Sequence, residues 1–220
     1  MGAPRIHGEL LKLGIEIAQS TVAKYMAKSG RGRSQTLEAF LRNHSAGIGA
    51  MDLLIVPTVG FKLLFTLVVL SHQRRRLISL SVTTHSTAEW ITHQITDAFP
   101  WDEAPTHMIR DRDGCYGRAV TKRLAAMGIR DHPIAPRSPW QNGHAERLIG
   151  SIRRDCLDHT IIIGEAHLRR ILAAYTAYCN ECRTHLLLDK DPPDRRPIQR
   201  LGQLVTQPIL GGLHNQYCRI

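Results

Sequence analysis

The longest apolar run of the chain lies at residues 51–71, and a turn divides it. Its sequence MDLLIVPTVGFKLLFTLVVLS contains Pro57-Thr-Val-Gly60, which is typical of a turn, followed by Lys62. The apolar pieces on either side of Lys62 are too short to cross a bilayer, which takes about 20 residues. The run therefore predicts two strands in a hairpin, at about 49–57 and 61–71, and no membrane span.

Beyond this hairpin the apolar positions alternate between strand and helix patterns. The expected elements are strands at 75–83, 106–111 and 129–135 and helices at 87–99, 117–127, 141–157 and 165–182. The sequence Ser86-Thr87-Ala88-Glu89 has the spacing of a capping box where the first of these helices begins. Three antiparallel strands followed by alternating helices and strands predict an α/β fold, with a mixed sheet and helices on both faces.

The residues before this pattern indicate a small separate piece. Residues 4–28 predict two short helices joined at Leu13-Gly14-Ile15, either a helix-turn-helix with Lys24 on its reading face or a plain helical hairpin. The polar, basic segment 29–36 then serves as a linker. The expected organisation is a partial DNA-binding segment with its linker at 1–36, a core at 45–200 and an irregular tail at 201–220.

Charge narrows the class of partner. The 220 residues carry a net charge of +10, which suits a polyphosphate, nucleic acid first and an anionic membrane surface second. A hydrophobic content of 43% argues against a disordered chain. The five cysteines are irregularly spaced and no apolar leader follows Met1, so a reducing cytosol and no disulfide framework are expected.

Three acids stand where a divalent metal ion could gather them. Asp52 lies in an otherwise apolar strand, where a carboxylate is costly unless it is paired or metal-bound. Asp111 ends the predicted strand 106–111, and Glu146 begins the helix after the PWQNG turn. Carboxylates converging at one edge of a sheet suit hard divalent cations. The alternative is that the acids only form ion pairs: Asp52 with Lys62 or another basic residue, and Glu146 with Arg147 or Arg153.

These acids and the residues around them carry a family resemblance. Asp52 and Asp111 precede PWQNGHAE, which ends at Glu146, and 34 residues lie between Asp111 and Glu146. The helix continues as RLIGSIRRDCLDH, and a Tyr178…Asn180…Arg183-Thr-His185 element follows. This combination resembles the catalytic core of DDE transposases and retroviral-type integrases, in particular the bacterial insertion-sequence integrase core domain, over about residues 45–200. The leading residues 5–26 are similar to the end of the helix-turn-helix region of such transposases, which would make this chain a shortened one.

The resemblance implies a fold and an activity. The fold would be ribonuclease H-like, with a mixed five-stranded sheet, and the activity DNA cleavage and strand transfer for a mobile element. Asp52, Asp111 and Glu146 would be the catalytic residues and would bind two Mg²⁺ or Mn²⁺ ions. The partners would be double-stranded DNA (element ends and target) and further copies of the chain, in the bacterial cytoplasm at the nucleoid. The alternative is a catalytically inactive, DNA-binding remnant of a transposase.

Two assignments stay open within this hypothesis. Asp113 is an alternative to Asp111, because the family's glycine is displaced by one position; we prefer Asp111 because Tyr116 and Glu146 are both correctly spaced from it. The residues expected to bind DNA are Gln141, Asn142, Arg147, Arg154 and Lys24. Gln141 and Asn142 alternatively cap the helix, and the arginines alternatively form a solvated face.

Overall fold

The computed structural model describes residues 17–25, 47–100, 103–185, 188, 190–197 and 199–220, and the chain divides into two units between residues 40 and 41. In the first unit the described residues form one helix, α1 (Gln19–Tyr25). It occupies the position predicted for the second helix of the helix-turn-helix, with Lys24 exposed. The first predicted helix and the basic linker lie outside the described residues, so the helix-turn-helix stays a prediction.

A mixed sheet with the strand order β3-β2-β1-β4-β5 is the centre of the second unit. Its strands are β1 (Ile48–Pro57), β2 (Leu63–Ser71), β3 (Leu77–Thr83), β4 (His107–Arg110) and β5 (Arg130–Pro133). The first three strands are antiparallel, whereas β4 runs parallel to β1 and β5 parallel to β4. The predicted mixed five-stranded sheet is confirmed.

The β1–β2 hairpin explains the charge in the middle of the long apolar run. Lys62 lies in the turn, exposed, and its backbone N–H donates to the Thr58 hydroxyl at 3.1 Å while its carbonyl accepts from the Thr58 N–H at 2.8 Å. The two apolar pieces thus pair with each other, as predicted. No helix among the described residues has the length and apolar character needed to cross a membrane.

Two pairs of helices cover the two faces of the sheet. The helices are α2 (Ala88–Ala98), α3 (Gly117–Ala126), α4 (Gly143–Asp155) and α5 (Glu165–Ala177). Met51 and Leu67 pack under α2 and α3, whereas Leu54 and Val68 pack under α4 and α5. These side chains are at most 1% exposed, and burying each contributes about 1.5–3 kcal/mol. Since side chains alternate along a strand, β1 directs Asp52 to the same face as Leu54, which α4 covers.

The last helix is braced at its end. The α-helix stops at Ala177 and continues as a π-helical turn, Tyr178–Cys182. In this turn the buried Asn180 side chain accepts from the Leu77 N–H at 3.0 Å and donates to the Leu77 carbonyl at 2.8 Å. It thereby covers polar backbone of the edge strand β3, which would otherwise be left unpaired.

The C-terminal residues correct one prediction. The tail at 201–220 is not irregular: β6 (Leu204–Ile209) and β7 (His214–Arg219) form an antiparallel hairpin. Gly211 and Gly212, with φ of 68° and 95°, supply the left-handed backbone that the turn requires. The pairing was not predictable from hydrophobic alternation, because most of the hairpin's side chains are exposed or only half-buried.

Candidate active site

Asp52, Asp111 and Glu146 line one cavity of about 290 Å³. Strand β1 supplies Asp52, the residue directly after β4 is Asp111, and the first turn of α4 supplies Glu146. Because Ala50 pairs with Ile109 in the parallel β1–β4 ladder, Asp52 and Asp111 lie two residues further along their chains at the same level. The topology therefore brings together the three acids that the sequence singled out.

The carboxyl group of Asp52 has a strongly raised pKa. Burial first, and then the charges of the neighbouring acids Asp111 and Glu146, raise the pKa of its carboxyl from 3.8 to about 6, against the lowering effect of a hydrogen bond from the Leu53 N–H. That N–H donates to Oδ1 of Asp52 at 2.8 Å. The carboxylate thus lies in a partly desolvated place among like charges, which favours the binding of a cation.

Asp111 lies in a similar environment. Burial raises the pKa of its carboxyl above the usual value of 3.8. The adjacent cation does not pair with it, because the guanidinium of Arg110 donates to both carboxylate oxygens of Asp131, at 2.8 and 2.7 Å. The largely buried Arg110–Asp131 pair therefore holds β4 and β5 together, and the charge of Asp111 stays available to the cavity.

Asp113 has a different task. It is exposed, does not line the cavity, and its Oδ1 accepts from the Cys115 N–H at 3.0 Å, which caps the 3-10 turn Gly114–Tyr116. A residue that caps a turn from outside the cavity is a poorer metal ligand than Asp111. This geometry supports the preference for Asp111, which remains a prediction.

The ion pairs that were the alternative for these acids are not formed among the described residues. Lys62 lies in the hairpin turn and bonds there through its backbone. Arg147 donates Nε to its own helix at the Gly143 carbonyl, 2.8 Å away, and Arg153 donates to the Ile55 carbonyl at 3.4 Å. Since no described Lys, Arg or His forms an ion pair with the three acids, their charge is left for another partner.

The donor set fits a divalent cation, although it is not preassembled. Carboxylate oxygens are the ligands that Mg²⁺ and Mn²⁺ prefer, and the cavity leaves room for water beside them. Within the described ranges, no three His, Cys, Asp or Glu side chains already stand close enough together to be a ready-made metal-binding group. The acids surround a shared space and do not touch at one point.

The PWQNG segment forms the rim of the cavity. Pro139–Asn142 is a 3-10 turn that leads into α4, and Trp140 is 72% exposed there. The side chain of Gln141 accepts from the Ala135 N–H at 2.8 Å, which ties the rim to the loop opposite. Asn142 does not cap the helix through its side chain; it is 2% exposed and donates Nδ2 to the Met51 carbonyl at 3.2 Å. Asn142 therefore anchors α4 to β1, and its predicted DNA contact gains no support from this burial.

Arg154 and Arg147, which were also predicted to bind DNA, do not line the acid-lined cavity. Arg154 is exposed on α4, and Arg147 lines a second cavity instead of the first. Lys24 belongs to the other unit of the chain. Their roles stay predictions.

Sequence reasoning missed two cations at the acid-lined cavity. Arg112 and Arg137 line it together with the acids. Arg112 donates Nε to the carbonyl of Ile134, another residue of the cavity lining, at 2.7 Å. Only the position of Arg112 next to Asp111 in the sequence could have indicated this role.

Tyr116 is a buried aromatic residue close to Asp111 and Asp52. Its ring is 1% exposed, its hydroxyl is buried, and the Arg110 guanidinium lies 5.2 Å from the ring centroid. Burial first, and then the charges of Asp111 and Asp52, hold the pKa of the phenol well above its usual value. The aromatic residue five positions after Asp111 thus belongs to the core under α2 and α3 and lies close enough to Asp111 and Asp52 to feel their charges.

One family model matches part of this chain. Residues 127–193 match the family model of the integrase core domain, a region that contains Glu146 but neither Asp52 nor Asp111. A search of curated proteins found no significant match.

Solved structures share the fold at low sequence identity. One is the simian T-cell lymphotropic virus intasome in complex with PP2A regulatory subunit B56 gamma (15% identity, TM-score 0.56, 94% of this chain and 85% of that chain covered). Another is the Mos1 transposase catalytic domain with raltegravir and Mn (15%, TM-score 0.53, 63% and 75% covered), and a third the Mos1 mariner transposase catalytic domain (16%, 0.53, 64% and 76%). The resemblance to transposase and integrase cores, and the ribonuclease H-like fold, are confirmed.

Proposed function

We propose that this protein is a divalent-metal-dependent DNA transposase or integrase, which cleaves phosphodiester bonds at the ends of a mobile element and transfers the strands to target DNA. The observation that carries the proposal is the convergence of Asp52, Asp111 and Glu146 on one cavity, where no described Lys, Arg or His forms an ion pair with them. The integrase core match at residues 127–193 and the fold support the same reaction class.

Each acid has a defined task in this proposal. Asp52 and Asp111 would hold the metal from the sheet, and Glu146 would complete the ligand set from the helix. When bound, Mg²⁺ or Mn²⁺, as two ions, would activate the attacking hydroxyl and stabilise the leaving oxygen. Arg112 and Arg137 line the same cavity and attract the phosphate to it. No Ser or Tyr nucleophile is required, because the attack comes from water or a DNA 3′-hydroxyl.

The partner is double-stranded DNA. A net charge of +10 favours a polyanion, and phosphate contacts supply most of the affinity for nucleic acid. Joining two element ends to one target requires more than one active site, so we propose that the chain works as a homo-oligomer. Its place of action would be the bacterial cytoplasm, at the nucleoid.

Calorimetric titration with Mn²⁺ tests the metal site. The parent chain should show saturable binding that Asp52→Asn and Glu146→Gln abolish or weaken at least about tenfold. Asp158→Asn, which removes an exposed carboxylate in the turn Leu157–His159, is the matched control and should bind as the parent does. Equal Mn²⁺ affinity in the parent and in Asp52→Asn would contradict the assignment.

A second candidate function is that of a DNA-binding remnant without chemistry. The lack of a preassembled metal-ligand group among the described residues is the observation that favours it. The two functions separate in a single titration: an active enzyme binds Mn²⁺ in the presence of duplex DNA, whereas a remnant binds the duplex and no metal at these acids.

A further inference from the structure

A second cavity, of about 80 Å³, lies on the other side of α4 from the acids. Its polar lining is basic, and we call it the basic pocket: Arg75, His144, Arg147, Arg183 and His185. With 3.6 residues per turn, Arg147 lies roughly 100° and His144 roughly 160° around the helix axis from Glu146. One helix therefore presents an acid to the first cavity and basic groups to the second.

The positive charge of the basic pocket is only partly neutralised. Arg183 pairs with Asp155 at 3.0 Å and donates to the Ser151 hydroxyl at 3.3 Å. Among the described residues, Arg75 forms no side-chain hydrogen bond or ion pair, and Arg147 uses only Nε, toward the Gly143 carbonyl. Most of the donors of these two guanidiniums are therefore left for another partner.

The groups also repel one another. Burial, and then the charge of Arg147, lowers the pKa of Arg75. The pKa of His185 is lowered by burial and then by Arg183 and Arg75. Such crowding of like charges is unfavourable unless an anion joins them.

A buried donor or acceptor in the pocket is also left unpaired. Nε2 of His185 is inaccessible to solvent and has no hydrogen-bond partner among the described residues. A buried polar atom without a partner costs about 1–3 kcal/mol, which a ligand oxygen in the cavity would offset.

The turn before β3 holds Arg75 in place. Arg74 and Arg75 both have left-handed backbone, with φ of 50° and 58°, which is uncommon for residues other than glycine. Arg74 is fixed by three bonds, to the Pro192 and Pro193 carbonyls and to the Asp191 carboxylate. With Arg74 anchored there, its neighbour Arg75 is left to line the pocket.

We propose that the basic pocket binds one phosphate group, and that in the working protein this group belongs to the backbone of the bound DNA. The cavity is large enough for several water molecules or one tetrahedral oxyanion. Guanidinium groups bind phosphate through paired hydrogen bonds, and a neutral imidazole adds one N–H donor. The assignment to DNA rests on the proposed function, whereas the affinity for phosphate stands on the pocket alone.

Histidine-selective NMR of the full chain tests the pocket with inorganic phosphate as the probe. Phosphate, compared with chloride at equal ionic strength, should shift the ring resonances of His144 and His185 saturably. Arg75→Gln should abolish the shifts and Arg75→Lys should weaken them. Arg170→Gln, the same charge change at an exposed arginine of α5, should leave them as in the parent. A parent chain without such shifts, or shifts of parental size in Arg75→Gln, would overturn the pocket.

The salt dependence of duplex binding identifies the source of the phosphate. Loss of one phosphate contact makes the slope of log K against log salt shallower by about 0.9. Between about 50 and 200 mM salt, the fold-loss of DNA affinity should therefore be about three times smaller for Arg75→Gln than for the parent. Arg170→Gln should keep the parental slope. A parental slope in Arg75→Gln, together with lost phosphate shifts, would overturn the assignment to DNA in favour of a free phosphate. Mn²⁺ titration of the same samples tests the proposed function separately.

Discussion

Replacement of Asp52 by asparagine should stabilise the metal-free protein. Asp52 lies partly buried in β1, near Asp111 and Glu146, and its pKa is raised from 3.8 to about 6. A raised carboxyl pKa means that the folded state prefers the protonated form. The stabilising effect of protonation is complete below pH 3.8 and is lost as the pH rises through about 6.

The magnitude follows from the two pKa values. The difference between 3.8 and about 6 corresponds to a destabilisation of about 3 kcal/mol above pH 7. Solvent screening of this partly exposed carboxylate reduces the effect to about 1–2 kcal/mol. Asparagine has a similar shape and no charge, so Asp52→Asn should recover this amount at pH 7.5 and about half of it at pH 5.

Urea denaturation in EDTA, followed by circular dichroism, measures the free energy of unfolding. Asp158→Asn, which removes an exposed carboxylate, controls for the change in net charge and should stay within about 0.5 kcal/mol of the parent. Added Mn²⁺ should stabilise the parent but not Asp52→Asn, because ligand binding to the folded state alone raises its stability. If Asp52→Asn is less stable than the parent in EDTA by more than about 1 kcal/mol, the carboxylate has a favourable partner and the reasoning is wrong.

Three further predictions concern other parts of the fold. Glu146→Gln should abolish strand cleavage in a nicking assay and leave the affinity for duplex DNA within about twofold of the parent. The affinity should persist because the Glu146 carboxylate is exposed and forms no hydrogen bond or ion pair among the described residues. Nicking at the parental rate would contradict the catalytic role of Glu146. Asn180→Ala should lower the free energy of unfolding in urea by about 2–4 kcal/mol, because it leaves the buried N–H and carbonyl of Leu77 unpaired; a loss below about 1 kcal/mol would refute this. The pKa of His72 is lowered to about 4, by burial first and then by His144 and Arg75. The free energy of unfolding of the parent should therefore fall by up to about 3 kcal/mol as the pH is lowered from 7 to 4. This fall should be smaller in His72→Gln, whereas His93→Gln, at an exposed histidine, should show the parental dependence of unfolding free energy on pH.

The strands of the sheet could be predicted because turn residues and apolar runs within a short stretch of sequence mark where each strand begins and ends. The Pro57–Gly60 turn and Lys62 divided the apolar run at the place where the hairpin turns. The motif around Glu146 identified the acids, and the parallel register of β1 and β4 then explains why Asp52 and Asp111 meet. In each case the decisive information lies within a few residues or in a spacing along one strand.

Contacts between distant residues were out of reach of the sequence. Arg74, Arg75 and Arg76 are chemically identical neighbours with three different environments. Arg74 binds the Asp191–Pro193 segment, more than 100 residues away, Arg75 lines the basic pocket, and Arg76 forms an exposed pair with Asp194 at 3.1 Å. Which of the three arginines anchors the chain depends on the path of a distant segment and on a left-handed turn, and neither has a sequence signal. Asn142 shows the same limit, since its partner is a backbone carbonyl on β1.

The position of a single glutamate among arginines on α4 follows from helix geometry. A helix turns about 100° per residue, so consecutive positions such as Glu146 and Arg147 face different cavities. Glu146 shares its cavity with Asp52 and Asp111, whereas Arg147 reaches back to the Gly143 carbonyl and lines the basic pocket. Because the two cavities lie on different sides of one helix, the proposed metal-binding carboxylate and the proposed phosphate-binding guanidiniums can stand next to each other in sequence without neutralising each other. An ion pair between Glu146 and Arg147 would have occupied both groups, and the helix geometry keeps them apart.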